Sequence, residues 1–297
     1  MRPRESGFLL LTSQLGDPER KPLTVAQFRT LASRVRSSDG PKGDSELSPK
    51  DLTALGYSRE MAQRIVELMS QQYLLEYYLS KGNKSHCVPL TRITQGYPLR
   101  VRDALGDDSP GCLWTKGDIS LLETPCISLV GSRELGEENR KYAQEVGIQA
   151  AKQGYTLVSG NARGADKTAQ EACLAAGGSV ICVVADSLEK QKANDRILYL
   201  AEDGFDCAFS SQRALSRNRV IHSLGEATFV AQASLRRGGS WDGTVRNLEG
   251  HWNPVFCYDD GSQAMAELEQ MGAHPIDKEA LMDIGKLINE NLGLCIF

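Results

Sequence analysis

From Pro125 onward the chain repeats one unit: a short apolar run, a turn bearing glycine, then small apolar residues at helical spacing. Residues 127–130 are apolar and lead into Gly131-Ser132-Arg133, after which Tyr142, Val146 and Ala150 mark a helix face. Residues 156–158 lead into Ser159-Gly160-Asn161-Ala162-Arg163-Gly164. Ala165, Ala169, Ala172, Cys173 and Ala176 follow, small enough for a helix to press closely on a sheet. Further strands are expected at 180–184, 207–209, 227–231 and 255–258. Strands alternating with helices imply a parallel sheet with right-handed crossovers, an α/β, Rossmann-like fold with flanking helices. Ligands of such sheets sit outside the carboxyl ends of the strands, where both glycine turns fall.

The first 85 residues have a different rhythm. Thr24 and Gln27 have capping-box spacing, and Val25, Phe28, Leu31, Ala32 and Val35 follow on one helical face. Residues 37–48 are polar and rich in glycine, proline and serine, the composition of a loop. Ser48-Pro49 opens a short helix ending near Gly56. Ser58 opens a longer one with Met61, Ile65, Leu68 and Met69 on one face, expected to continue through residues 72–81. The expected organisation is a small all-helical, SAM-like unit at 1–85 and a Rossmann-like unit at 86–297. The intervening residues 86–125 read as an extended lead-in that adds an edge strand.

The chain has 297 residues and a net charge of −4. A uniformly basic coat is therefore excluded, and any nucleic-acid contact is confined to one face. The 8 cysteines form no CxxC pair and the 4 histidines are scattered, so neither a zinc site nor any other metal or cofactor is expected. The apolar run at 8–11 is too short for a signal-peptide core, and no stretch approaches the roughly 20 apolar residues of a membrane helix. A soluble, cytoplasmic protein is the expectation.

Four segments carry anion-binding chemistry. In Gly131-Ser132-Arg133, glycine admits close backbone approach, the following helix start offers unpaired N–H groups, and a guanidinium can grip phosphate with two hydrogen bonds. Ser159, Gly160, Arg163, Gly164 and Lys167 repeat that design one crossover later, with Asp166 placed to cap its helix and orient Arg163. Arg217-Asn218-Arg219 suits a polyanion. Arg236-Arg237-Gly238-Gly239-Ser240, running on to Thr244, is basic and glycine-rich, and its Trp241 could stack on a base. There is no GxSxG elbow, HExxH or Walker A lysine, so no catalytic set is expected.

Taken in order, Val130-Gly131-Ser132-Arg133, the Ser159 to Asp166 loop, Ala176-Gly177-Gly178 and Arg217-Asn218-Arg219-Val220-Ile221 resemble the DNA-processing protein A (DprA/Smf) family. Gly96-Tyr97-Pro98 and Leu113-Trp114-Thr115-Lys116-Gly117 resemble its lead-in. Against that pattern, Asn161 and Ala165 replace apolar residues, Gln232 replaces Glu, and the Gly238 to Thr244 stretch differs. The resemblance implies single-stranded DNA binding, delivery of the strand to a RecA-type recombinase, a homodimer, and no enzymatic activity. It also implies that Gly131, Ser132, Arg133, Ser159, Gly160, Arg163 and Gly164 line the phosphate pocket, with Arg217, Asn218 and Arg219 beside it. Two other readings stay open. Gly238-Gly239 and Gly243-Thr244 resemble the nucleotide loop of LOG-like proteins, which act on small nucleotides, and the helical unit could serve a pure partner-binding scaffold.

Overall fold

The computed structural model describes residues 3–38 and 47–292. The loop expected at 37–48 and Cys295 fall largely or wholly outside them. Five helices come first: α1 (Pro3–Thr12), α2 (Val25–Ser37), α3 (Pro49–Ala54), α4 (Arg59–Met69) and α5 (Gln72–Lys84). The capping box of Thr24 and Gln27 opens α2, and Ser48 with Asp51 makes a second at α3. Residues 58–81 are not one continuous helix. The chain breaks at Ser70 and Gln71, where the Gln71 side chain accepts from the buried Arg20 Nε at 2.5 Å and Arg20 also donates to the backbone of Ser13, Leu10 and Leu68. Satisfying that buried guanidinium takes priority over helix continuity.

The sheet has nine strands in the order β1-β2-β6-β5-β4-β3-β7-β8-β9. The lead-in supplies β1 (Val88–Thr91), α6 (Leu99–Leu105) and β2 (Cys112–Lys116), the two strands pairing antiparallel at one edge. Then come β3 (Cys126–Val130), α7 (Glu137–Lys152), β4 (Thr156–Ser159), α8 (Ala165–Ala175), β5 (Val180–Val183) and β6 (Ile197–Ala201). The chain returns through α9 (Ser211–Ser216) and α10 (Asn218–Leu224) to β7 (Thr228–Val230). It finishes with α11 (Gly238–Gly250), β8 (Val255–Tyr258), α12 (Gln263–Gln270), β9 (His274–Ile276) and α13 (Ile284–Leu292). From β6 to β9 every pairing is parallel, giving the Rossmann-like α/β fold.

Side chains alternate across the sheet. Ile127 and Leu129 of β3 pack with Tyr142, Val146 and Ala169 of α7 and α8, while Cys126 and Val130 pack on the other side with Val220, Ile221 and Trp241. A Cβ at Gly147 would fall 2.2 Å from the Ala169 carbonyl, so α7 and α8 touch backbone to backbone there. Leu9, Leu10, Leu75 and Tyr78 of α1 and α5 share the first of these cores, so the helical segment is built onto the sheet.

Residues 207–209 are not a strand. The apolar strand of that region is β6, and residues 202–210 form a loop pinned by side chains. Asp206 accepts from Tyr78 Oη at 2.6 Å and Lys81 Nζ at 2.8 Å, and Arg213 donates to Asp203 and to the Ala208 carbonyl. Trp241 lies buried in the second core, not presented for stacking. Residues 238–244, expected as a glycine-rich loop, are the first two turns of α11.

Candidate nucleic-acid interface

β3 and β7 are neighbours and parallel. From β3 the chain builds outward through β4, β5 and β6, then crosses back and builds the other way from β7. The gap above their carboxyl ends is therefore a topological switch point, the place where α/β sheets bind ligands. A cavity of about 450 Å³ opens there, walled by the turn after β3, the start of α10 and the start of α11.

The β3 turn is fixed from both sides. A Cβ on Gly131 would lie 2.5 Å from the Ala165 Cβ, Ser132 N donates to the Gln232 carbonyl at 2.9 Å, and the Ser132 carbonyl accepts from Ala165 N at 3.1 Å. Arg133 is exposed on the cavity wall and has no ion-pair partner among the described residues.

The second turn works differently from its sequence expectation. Gly160 N and Ala162 N both donate to Asp166 Oδ2 at 3.1 Å, so those N–H groups are spent on a protein carboxylate. Asn161 takes φ 56°, a left-handed conformation that asparagine tolerates better than the apolar residue it replaces. Ser159 is buried and accepts from Gln170 Nε2. Gly164 (φ 88°) lies beneath the first turn, where a Cβ would strike the Ser132 carbonyl at 2.4 Å. Asp166 does not orient Arg163, which is exposed and pairs with Glu134 at 3.2 Å. Neither Arg163 nor the exposed Lys167 reaches the cavity.

Arg217 is the guanidinium this turn serves. It is 8% exposed, runs past Gly160, and donates from Nη1 to the Val183 carbonyl at 2.5 Å, while its Nε has no partner among the described residues. Burial lowers its pKa and the Asp166 carboxylate opposes that. Burial likewise raises the Asp166 pKa and Arg217 opposes it. The pair puts a fixed cation on the cavity floor.

The third wall is α11. No side chain caps its first turn, so the free N–H groups of Gly239 and Ser240 border the cavity. Asn218 Nδ2 donates to the Gly239 carbonyl at 2.9 Å, and Ser240 Oγ to the Gly131 carbonyl at 2.7 Å, tying all three walls together. Behind them, Asn247 Nδ2 reaches Thr228 Oγ1, Asn253 Oδ1 and the ring of His222, locking α10, α11 and β7.

Of the residues singled out from sequence, Gly131, Ser132, Arg133, Arg217, Asn218, Gly238, Gly239 and Ser240 meet at the cavity. Ser159, Gly160, Gly164, Arg163 and Lys167 do not line it. Arg219 turns away, into an ion pair with the largely buried Glu202 and a bond to the Asp108 carbonyl. Arg236 is held by Glu267 at 3.0 Å, and its neighbour Arg237 takes the place at the cavity. The helical spacing of Trp241, Val245 and Leu248 is the sequence signal that could have put Arg237 directly before a helix start. Gly243 and Thr244, the second half of the LOG-like pattern, face inward. A Cβ on Gly243 would lie 2.8 Å from His222 Nε2, and Thr244 is buried.

The walls offer main-chain N–H groups and three guanidiniums from separate segments, and one acid, Asp166, already satisfied. Such a set binds multiply charged oxyanions. Among the described residues no cluster could hold a metal ion, and no helix is long and apolar enough to cross a membrane.

Comparison with known proteins agrees with the motif reading. The chain is 34% identical over 141 residues to DNA processing protein DprA of Streptococcus pneumoniae (strain ATCC BAA-255 / R6), covering 44% of this chain and 50% of that protein. It is 28% identical over 215 residues to protein Smf of Escherichia coli (strain K12), covering 69% and 56%. The chain thus spans about half the length of these relatives. Its fold superposes on the crystal structure of the S. pneumoniae protein with a TM-score of 0.72 at 23% identity, over 96% of this chain and 98% of the other. A structure of DNA processing protein A from Helicobacter pylori, reported for its single-stranded DNA binding mode, matches with a TM-score of 0.56 at 26% identity, over 70% and 98%. The family model for DNA recombination-mediator protein A matches residues 89–282, and the chain belongs to that family.

Proposed function

We propose that this protein binds single-stranded DNA by its backbone phosphates, in the cavity between the ends of β3 and β7, and acts as a DNA-processing protein without chemistry of its own. The observation that carries this reading is the convergence of Arg133, Arg217 and Arg237, from three separate segments, around the uncapped start of α11. Guanidiniums from three segments around one cleft suit the repeated charges of a polyanion. The H. pylori relative, whose structure is reported for its binding of single-stranded DNA, supports the choice of nucleic acid. Gly131, Ser132, Asn218, Gly238, Gly239 and Ser240 would supply backbone and hydroxyl contacts. Ser159, Gly160 and Gly164 would act from behind, by shaping the floor. Delivery of the strand to a RecA-type recombinase, a homodimeric state and the division into units at 1–85 and 86–297 belong to the same proposal.

The test is fluorescence anisotropy with a labelled oligothymidine over a salt series. Binding should weaken with a log–log slope of about −0.7 per neutralised phosphate. Binding that ignores salt, or no binding, would overturn the reading. Incubation with nucleoside monophosphates should release no base.

A further inference from the structure

Among the described residues only three aromatic side chains are exposed: Tyr73 at 84%, Tyr77 at 64% and Phe209 at 55%. They are not scattered. Tyr73 and Tyr77 stand one turn apart on α5, on the same flank as Lys81 one turn further on. Lys81 docks on Asp206 at 2.8 Å, in the loop that follows β6. Phe209 lies three residues further along that loop, just before the N-cap Ser210 of α9, whose Ser211 and Leu215 line the phosphate cavity. The chain therefore links α5 to the cavity rim, through the Lys81–Asp206 ion pair, Phe209 and the start of α9.

This face is built to hold its position. Tyr78, Trp114 and Phe205 pack as a buried triad with ring centroids 4.6–5.2 Å apart, anchoring α5 from below. Tyr78 Oη donates to Asp206 at 2.6 Å, so helix and loop are joined at two points. Folding has no need of Tyr73 or Tyr77, since the buried face of the same helix is Leu75, Tyr78 and Gly82.

We infer that Tyr73 and Tyr77 form a stacking platform for the bases of the strand whose phosphates occupy the β3/β7 cavity. The inference rests on the single-strand reading of that cavity and extends the DNA path onto the helical segment. Every base has a π-face, so rings one turn apart on a rigid helix grip a strand without regard to sequence. Lys84, exposed on the last turn of α5, supplies charge for the backbone alongside.

The experiment uses the full chain and fluorescein-labelled oligothymidines of about 6 and about 25 nucleotides, lengths near the lower end of and beyond a typical single-strand site. The double variant Tyr73→Ala/Tyr77→Ala should lose at least about fivefold in affinity for the long oligonucleotide. Its salt slope should not change, because stacking releases no counterions. Its affinity for the short one should match that of the parent. Tyr73→Phe/Tyr77→Phe should restore long-strand binding, since the ring and not the hydroxyl stacks. Arg133→Ala should weaken both lengths. If the alanine double variant binds the long strand as the parent does while Arg133→Ala still fails, the platform is refuted, the cavity reading survives, and the face is left to a protein partner. If the parent binds neither oligonucleotide, both fall together.

Discussion

Gly160 and Arg217 compete for one space: a Cβ on residue 160 would sit 1.6 Å from the Arg217 Nη1. The glycine at the end of β4 thus matters for the side chain it lets through, more than for any ligand it touches. Gly160→Ala should expel Arg217 from its slot and break its bond to Val183. Overpacking of this kind costs about 1–3 kcal/mol, visible as a lower melting temperature, and DNA affinity should fall with it.

Arg217→Ala should do more damage than removing one phosphate-binding group, because Asp166 stays buried without its cation. Burying the acid without that opposing charge should lower the melting temperature as well as the affinity. The pH dependence gives the sign. Burial raises the folded-state pKa of Asp166 above 3.8, so the folded protein favours the protonated acid and stability falls as pH rises through that folded value. Without Arg217 the folded pKa rises further, so urea titrations from pH 4 upward should show the deficit of the variant growing with pH. Asp166→Asn in the same background should remove that growth.

Arg219→Ala separates a structural arginine from those at the cavity. Arg219 and Glu202 form a largely buried ion pair, so the variant should lose about 3–5 kcal/mol of stability. Its salt slope for DNA should stay that of the parent.

Arg133→Ala and Arg237→Ala should do the reverse. Both side chains are exposed at the cavity, so melting temperature should hold within about a degree or two, surface substitutions being nearly neutral. Each should reduce the magnitude of the salt slope by about 0.7 for every phosphate left without its cation. Unchanged slopes in both would count against the cavity.

His222 predicts acid lability. Burial pushes its imidazole down to about 3, so the neutral form is favoured on folding and stability present above pH 6.5 drains away as pH falls toward 3. The loss can reach about 4–5 kcal/mol over that window. His222→Asn should be weaker at pH 7 yet show a flatter dependence over it, as read by urea midpoints.

The sequence alone determined the periodic part of this protein. Strand, glycine turn and helix recur over distances of a few residues, and their signals are local: the apolar run of β3, the small-residue face of α8, the Thr24 cap. It therefore yielded the fold class, most of the parallel strands, and the first turn with Arg133. The tertiary structure decided which donors face the cavity. That Gly160 and Ala162 spend their N–H groups on Asp166, that Arg217 enters the floor while Arg219 turns to Glu202, and that Arg237 stands where Arg236 was expected all depend on partners dozens of residues away. So does the site itself. β7 returns to the side of β3 only through the long crossover after β6, and a switch point is a property of strand order, which no local window of residues contains.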